Sequence, residues 1–479
     1  MVRDGEVAAR YHELTKHSPE TVRGAEGRLL LPSGFRPMDG SNQPNPFKSY
    51  EGAEQLPLSA AGSLARLLRL GAGIKTAGRL RNRFRTYASA GALYPVEVYA
   101  VTSEIDGLEP GVYHFAPDKD ALVTLRQGDH RDALVRASAA EPSTETAALT
   151  LIFTGVPWRT TWKYTQRGYR HLFWDAGMIL ANFLALLSSE ETKGRVIVGF
   201  VDEEVEKLID VDGTGEFPLC LLTIDGSPTP VGPTTSAPDP INVPSPALSR
   251  REFRFPEIDE VNDAGRLADP AEVTSWRSGP NGSGSPPDPE PSDLDEKAIR
   301  RRGSARYFGD RPMPREVLED ILRRAHRGIP TDYAPAGSHL IESFLIANNV
   351  DGVERGSYRW SEHELVLLKR GDLRREAGYL CLEQPLGATS AATIFLMTDL
   401  DTVLRSYGAR GYRAAQLESG IVGGKMYISA YGQRFGATGL TFYDDEVSTF
   451  FSPEAADKSC MLVVAVGDSP RLRGPNMET

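Results

Sequence analysis

Lys163 and Tyr164, in WKYTQRGYR, set an amine beside a phenol, with Arg167 and Arg170 one and two turns further along. Such a lysine serves as a base only if desolvation or a nearby cation lowers its pKa toward neutrality, while the phenol can donate, accept or position. The two arginines could supply that cation or bind substrate carbonyls. Far along the chain, Arg302, Ser304 and Arg306 place a hydroxyl between two guanidiniums, a set of fixed cations and donors that suits a phosphate. A third group is the small-residue loop Ala88-Ser89-Ala90-Gly91, entered from a basic segment that holds Arg85, where a flat group can lie against backbone. Each is ordinary in isolation. A Lys-Tyr pair before a helix is usually solvated, alternating arginines often mark no more than a helix entry, and RGYR recurs later in the chain, which suits a structural role equally well.

The elements that must position these groups are legible in outline. Leu58 to Ile74 has Leu and Ala at helical spacing and closes on glycines, an amphipathic helix with a glycine stop. After the small-residue loop, Val96 to Ser103, Gly111 to Phe115 and Ala148 to Gly155 read as strands. Arg167 to Glu191 is apolar on several helical faces, the pattern of a central buried helix. VIVGF and FPLCLLTID add strands, giving an α+β class. Residues 1 to about 60 read as an irregular lead-in outside the core. From 227 to 294 Pro, Gly and Ser dominate, which predicts a linker between units at 1–226 and 295–479, with a little structure surviving in REFRFPEIDEV. The second unit repeats the first. DGLEPGVYHF at 106 returns as DGVERGSYRW at 351, KYTQRGYR at 163 as SYGARGYR at 406, and FVDEEV at 200 as FYDDEV at 442. Two tandem copies of a unit that works as a two-fold dimer predict an intrachain pseudo-dimer, free to associate further.

Composition narrows the function. The chain has 479 residues, 40% hydrophobic and 25% charged, with a net charge of −11 that disfavours binding to a phosphate backbone, so nucleic acid is not an expected partner. Cys220, Cys381 and Cys460 form neither a disulfide framework nor metal-ligand spacing, and read as buried inert thiols; no metal is expected. The start lacks the apolar core of a secretion signal and no window is read as a membrane span, so the expected compartment is the cytoplasm.

YHELTKHSP, SAGALYPVEVY, GLEPGVYHF and KYTQRGYR followed by DAG together resemble the SagB-type azoline dehydrogenases of the FMN-dependent nitroreductase superfamily, over most of residues 11–226. RRGSARYFGDRPMPREVLEDILRRA resembles the superfamily's opening phosphate-binding segment and first helix. The resemblance implies FMN at the interface between copies, and it implies catalysis by Lys163 and Tyr164, where the second copy has Ser406-Tyr407. It further implies phosphate on Arg302, Ser304 and Arg306, with Arg471 or Arg473 near the C-terminus. The ring falls on Ser89, Ala90 and Gly91, with Arg85 at the entry to that loop. The first copy offers only Lys48 and Ser49 for phosphate, and the second has Pro335-Ala336-Gly337 at the loop, so one good flavin site and one degenerate site are expected. The implied reaction oxidises a peptide thiazoline or oxazoline to its azole, on a ribosomally made precursor, after a cyclodehydratase has acted. The alternatives are an NAD(P)H-dependent nitro or quinone reductase, an azoline oxidase for carrier-bound peptides, and a flavin-less scaffold.

Overall fold

The computed structural model describes residues 5–23, 38–75, 84–226, 229–234, 238–241, 243–279, 296–333 and 340–472. In the first copy β1 (Gln55–Pro57), β2 (Val96–Thr102), β3 (Gly111–Ala116), β4 (Ala121–Gln127), β5 (Ala147–Gly155), β6 (Gly194–Ile197) and β7 (Phe217–Asp225) form one sheet in the order β1-β4-β3-β2-β5-β7-β6. Every pairing in it is antiparallel. The second copy contributes β8 (Met313–Pro314), β9 (Glu342–Ala347), β10 (Val350–Asp351), β11 (Gly356–Ser361), β12 (Glu364–Arg370), β13 (Ala392–Thr398), β14 (Gly436–Leu440) and β15 (Ser459–Gly467). Its sheet runs β12-β11-β9-β13-β15-β14, the same order without the edge strand, while β8 and β10 make a short parallel pair. The expected α+β class and the two tandem copies are what the chain adopts.

The central strands β5 and β7 are nearly continuous apolar runs because both faces are covered. Each copy lays one long helix between the sheets: Gly168–Ser189, and Leu400–Gly432, which breaks at Gly408. They cross at Gly177 and Gly420, where a Cβ on Gly177 would lie 2.5 Å from the Gly420 carbonyl carbon, and one on Gly420 2.6 Å from the Trp174 oxygen. The glycines of DAG and ESG therefore bring backbone against backbone on the pseudo-two-fold axis.

Three expectations need correction. The first concerns the lead-in, which contributes the helix Glu6–Leu14 with Ala8, Tyr11 and His12 buried in the core. The second concerns the supposed linker. It carries helices Pro256–Ala264 and Pro270–Arg277, with Ile258, Val261, Val273 and Trp276 buried. The helix Pro256–Ala264 plays for the second copy the part Glu6–Leu14 plays for the first: Arg170 donates to the His12 carbonyl at 2.7 Å, and Arg413 to the Asn262 carbonyl at 2.6 Å. Part of the region read as a linker is thus packed into the core. Thirdly, the helical stretch Pro157–Ser189 is long and apolar enough to span a membrane, contrary to expectation, but 89% of its apolar window is buried inside this fold. All three cysteines are buried free thiols, and the described residues hold no metal-binding cluster.

Candidate active site between the two copies

The helix Pro157–Tyr164 starts with proline in its first turn and stops at Tyr164 because Thr165 leaves helical geometry, at φ 49° and ψ −137°. A β-branched residue at positive φ is strained, and the second copy relieves the same bend with Gly408 at φ 59°. The bend leaves Lys163 and Tyr164 half-buried at a helix end. Facing them is Gly91 at φ 65°, where a Cβ would stand 3.0 Å from Tyr164 Oη and 3.1 Å from Lys163 Nζ. Loop and pair, 72 residues apart in sequence, line one cradle that a single methyl group would begin to fill.

Burial, and then Arg306 of the second copy, lower the Lys163 pKa. This is the direction a base requires. The Tyr164 ring stacks on His171, 4.2 Å between centroids at 18°, while burial and then Asp175 raise its phenol pKa. His171 is buried, with both ring nitrogens free of hydrogen-bond partners among the described residues; burial, then Arg167, keep it well below the usual imidazole range and therefore neutral. Ala90 N donates to Asp175 Oδ1 at 3.3 Å, and Ser89 Oγ accepts from Tyr94 N at 3.0 Å. Burial pushes the Asp175 carboxyl up to about 8 against hydrogen bonds from Ser89 and Ala90, and its Oδ2 has no partner among the described residues.

Opposite this pocket runs the phosphate-type segment, held on the edge of the second sheet by Ala305 N to Ala437 O at 2.9 Å and Gly309 N to Asp468 O at 3.0 Å. Ser304 and Arg306 are exposed and make no hydrogen bond or ion pair with the described residues. Arg471 is exposed in the turn Pro470–Leu472, which follows Asp468 directly; Arg473 lies outside the described residues. Two exposed arginines and a hydroxyl on one sheet edge fit a phosphate, and the glycine cradle beside a lowered-pKa lysine fits a flat ring, so the residues present suit FMN.

Arg302 departs from its expected role. Its guanidinium is spent on carbonyls of the first copy: Nε on Thr86 at 2.9 Å, Nη2 on Arg85 at 2.8 Å and on Tyr87 at 2.9 Å. It straps the chain leading into the Ser89 loop to the second copy. Arg85 is likewise buried, donating to Pro46 O at 3.0 Å and flanked by the Phe47 and Tyr94 rings. Arg167 and Arg170 do not face substrate. They pair with buried Asp444 of the second copy at 3.0 and 2.8 Å, mirrored by Arg413 and Arg410 on Asp202 of the first at 3.0 and 2.5 Å. The recurrent RGYR is the inter-copy clamp.

At the pseudo-symmetric position a tryptophan lies against Tyr407, the counterpart of Tyr164. Trp276, from the helix Pro270–Arg277, packs on Tyr407 and Tyr333 at 5.7 and 6.0 Å and donates to Tyr407 O at 3.0 Å. Glu418, the counterpart of Asp175, accepts from Leu340 N at 2.6 Å, Ile341 N at 3.2 Å and Tyr333 Oη at 3.0 Å. Lys48 is also engaged, on Glu216 at 2.7 Å and Tyr99 at 2.9 Å. Pro335, Ala336 and Gly337 lie outside the described residues.

Sequence reasoning missed Lys75, whose ammonium caps the Arg302 carbonyl and whose pKa falls to about 8 through burial and then Arg302. It also missed His171, and assigned no role in the site to Asp175 of the DAG motif. An acid and an imidazole one turn apart in a largely apolar helix were the available signal.

Comparison with known proteins supplies the family. The model of the Nitroreductase family matches residues 59–227 and 299–468. Over 142 residues the chain is 30% identical to MJ1384 of Methanocaldococcus jannaschii, named as a nitroreductase, across 29% of this chain and 70% of that one. Over 141 residues it is 28% identical to the microcin B17-processing protein McbC of Escherichia coli, across 28% of this chain and 52% of McbC. The crystal structure of a nitroreductase-named protein of Anabaena variabilis is similar at a TM-score of 0.77 and 25% identity, covering 96% of this chain and 99% of that one.

Proposed function

The chain belongs to the nitroreductase family, and from that premise we propose that it is an FMN-dependent azoline dehydrogenase, acting in the cytoplasm on a ribosomally made peptide whose Cys, Ser or Thr residues have already been cyclised. The observation that carries this reading is the meeting of Lys163, Tyr164 and Gly91 in one cradle; burial, and then Arg306 of the other copy, lower the lysine pKa in the direction a base needs. Arg306, Ser304 and Arg471 would hold the phosphate, and Ser89, Ala90 and Gly91 the ring. Bound FMN would supply the acceptor for the hydride that leaves Cβ of the azoline. Lys163, as the neutral amine, takes the Cα proton, and the ring aromatises as that C–H bond breaks. Tyr164, whose phenol keeps its proton far above neutral pH, donates a hydrogen bond to the substrate and orients it. His171 beneath the phenol fixes its plane without adding charge. The likeness to McbC, which processes microcin B17, supports a peptide substrate, and a cyclodehydratase is the reaction class that must come before it.

The nitroreductase-named relatives favour a second reading, an NAD(P)H-dependent reductase. That chemistry has no need of Lys163. Incubation of a thiazoline peptide with wild type and Lys163→Met, followed by mass spectrometry, separates the two. Loss of two hydrogens from the peptide with wild type and none with Lys163→Met supports the dehydrogenase. An unchanged peptide, together with NADPH oxidation that survives the substitution, supports the reductase.

A further inference from the structure

We propose that Asp175 is a positioning residue for the cofactor ring: held through Oδ1 under the Ser89 to Gly91 loop, its carboxylic acid offers Oδ2 as a hydrogen-bond donor to an acceptor atom of the ring lying against Gly91. The inference rests on the FMN reading above and extends it to a group outside the Lys163-Tyr164 pair.

Two comparisons within the chain carry it. Along the helix Gly168–Ser189, His171 and Asp175 are one turn apart on one face, His171 beneath Tyr164 and Asp175 beneath Ala90. Both side chains therefore lie directly behind residues that form the cradle. The second copy provides the control: Glu418 occupies the same place on its helix, but both of its oxygens are taken by Tyr333 Oη, Leu340 N and Ile341 N. A carboxyl with only a packing task at this place is fully satisfied. Asp175 instead keeps one buried oxygen without a partner among the described residues, in the copy that retains the lysine, the tyrosine and the glycine loop. Buried polar atoms are rarely left unpaired, so an open one at a ligand cradle marks a partner yet to arrive.

The surroundings favour the donor form. The groups facing Asp175 are Ser89 and Ala90 from the loop, Tyr87 and Tyr94 from its flanks, Tyr164 from the neighbouring helix and neutral His171 on its own helix. Lys163 shares the cradle but makes no resolved charge interaction with Asp175, none of the other groups presents a cation to hold a carboxylate, and with the acid pushed up to about 8 its proton is in place at neutral pH.

The test is FMN affinity, measured by flavin fluorescence quenching from pH 6.5 to 9.5, for wild type, Asp175→Asn and Asp175→Ala. Wild type is expected to weaken about tenfold per pH unit above 8 as the donor is lost. The Asn variant keeps an N–H donor and an acceptor, so it should bind close to wild type at pH 6.5 and stay flat. The Ala variant should be weaker throughout and also flat. An Asn variant that titrates like wild type, or a flat wild type with flavin bound, overturns the proposal alone. Wild type that takes up no FMN at any pH overturns both the proposal and the cofactor reading.

Discussion

Replacing Asp444 by Asn tests whether the two copies are clamped as the structure indicates. Asp444 is 2% exposed and pairs with Arg167 at 3.0 Å and Arg170 at 2.8 Å, guanidiniums whose side chains are 5% and 0% exposed. It also accepts from His17 N at 2.8 Å. The amide keeps the shape but removes the charge, leaving two buried cations without a counter-ion, a change that costs about 3–5 kcal/mol. A domain is stable by about 5–15 kcal/mol, so a large share would go in one step. Burial alone would raise the Asp444 pKa, but Arg167 and Arg170 hold it well below the usual carboxylate range. Its stabilisation is therefore present above about pH 4 and lost as pH falls through the depressed value, and the variant should lack that acid limb. Urea unfolding followed by tryptophan fluorescence from pH 2 to 8 measures both effects. Asp202→Asn, in the mirrored cluster, should cost a similar amount, and the double variant should approach the sum if the clusters act independently. A loss under about 1 kcal/mol for Asp444→Asn, with the acid limb intact, would refute the clamp.

Further outcomes follow from the site. Lys163→Met should lower thiazoline oxidation about 10²–10⁴-fold, while wild-type kcat/KM rises with pH and levels off above the lowered lysine pKa. Arg306→Ala should weaken FMN about 10- to 100-fold through a lost charge-assisted bond and move that rising limb to higher pH, read from FMN titration and a pH–rate profile. Gly91→Ala, forced to φ 65° against Lys163 and Tyr164, should abolish turnover while circular dichroism stays near wild type. Glu418, pushed up from 4.5 to about 7 chiefly by burial, holds in the folded state a proton that the unfolded chain releases. Stability from this group therefore falls as pH rises from about 4.5 to 7, and Glu418→Gln should gain on wild type across that window by on the order of 3 kcal/mol, read from unfolding at pH 5 and 8.

The sequence carries the tandem copies openly, because RGYR with its aspartate partner and the strand pattern are side-chain signals that must recur with the fold. Lys163 with Tyr164, and Gly91 in its loop, were legible as two separate motifs, because each does something only its residue type can do; that they meet in one cradle is a property of the fold. What stayed hidden runs through backbone. Arg170 and Arg413 grip carbonyls of His12 and Asn262, and any residue offers a carbonyl, so the helix Pro256–Ala264 could match Glu6–Leu14 in role without matching it in sequence. Arg302 looked like a phosphate ligand because its spacing to Ser304 and Arg306 is right; only the fold brings the carbonyls of residues 85–87 to it from over 200 positions away. Trp276 sits in a Pro, Gly and Ser-rich region that composition assigns to a linker, and its packing on Tyr407 is a long-range contact with no local trace.

The most direct test of the central claim is an anaerobic titration of FMN-reconstituted wild type with a thiazoline peptide, with the bound flavin counted first. One FMN per chain, bleached by the peptide with no NAD(P)H present, is the predicted result. Flavin that stays oxidised until NAD(P)H is added, or a chain that takes up two flavins, would contradict the single split-site dehydrogenase.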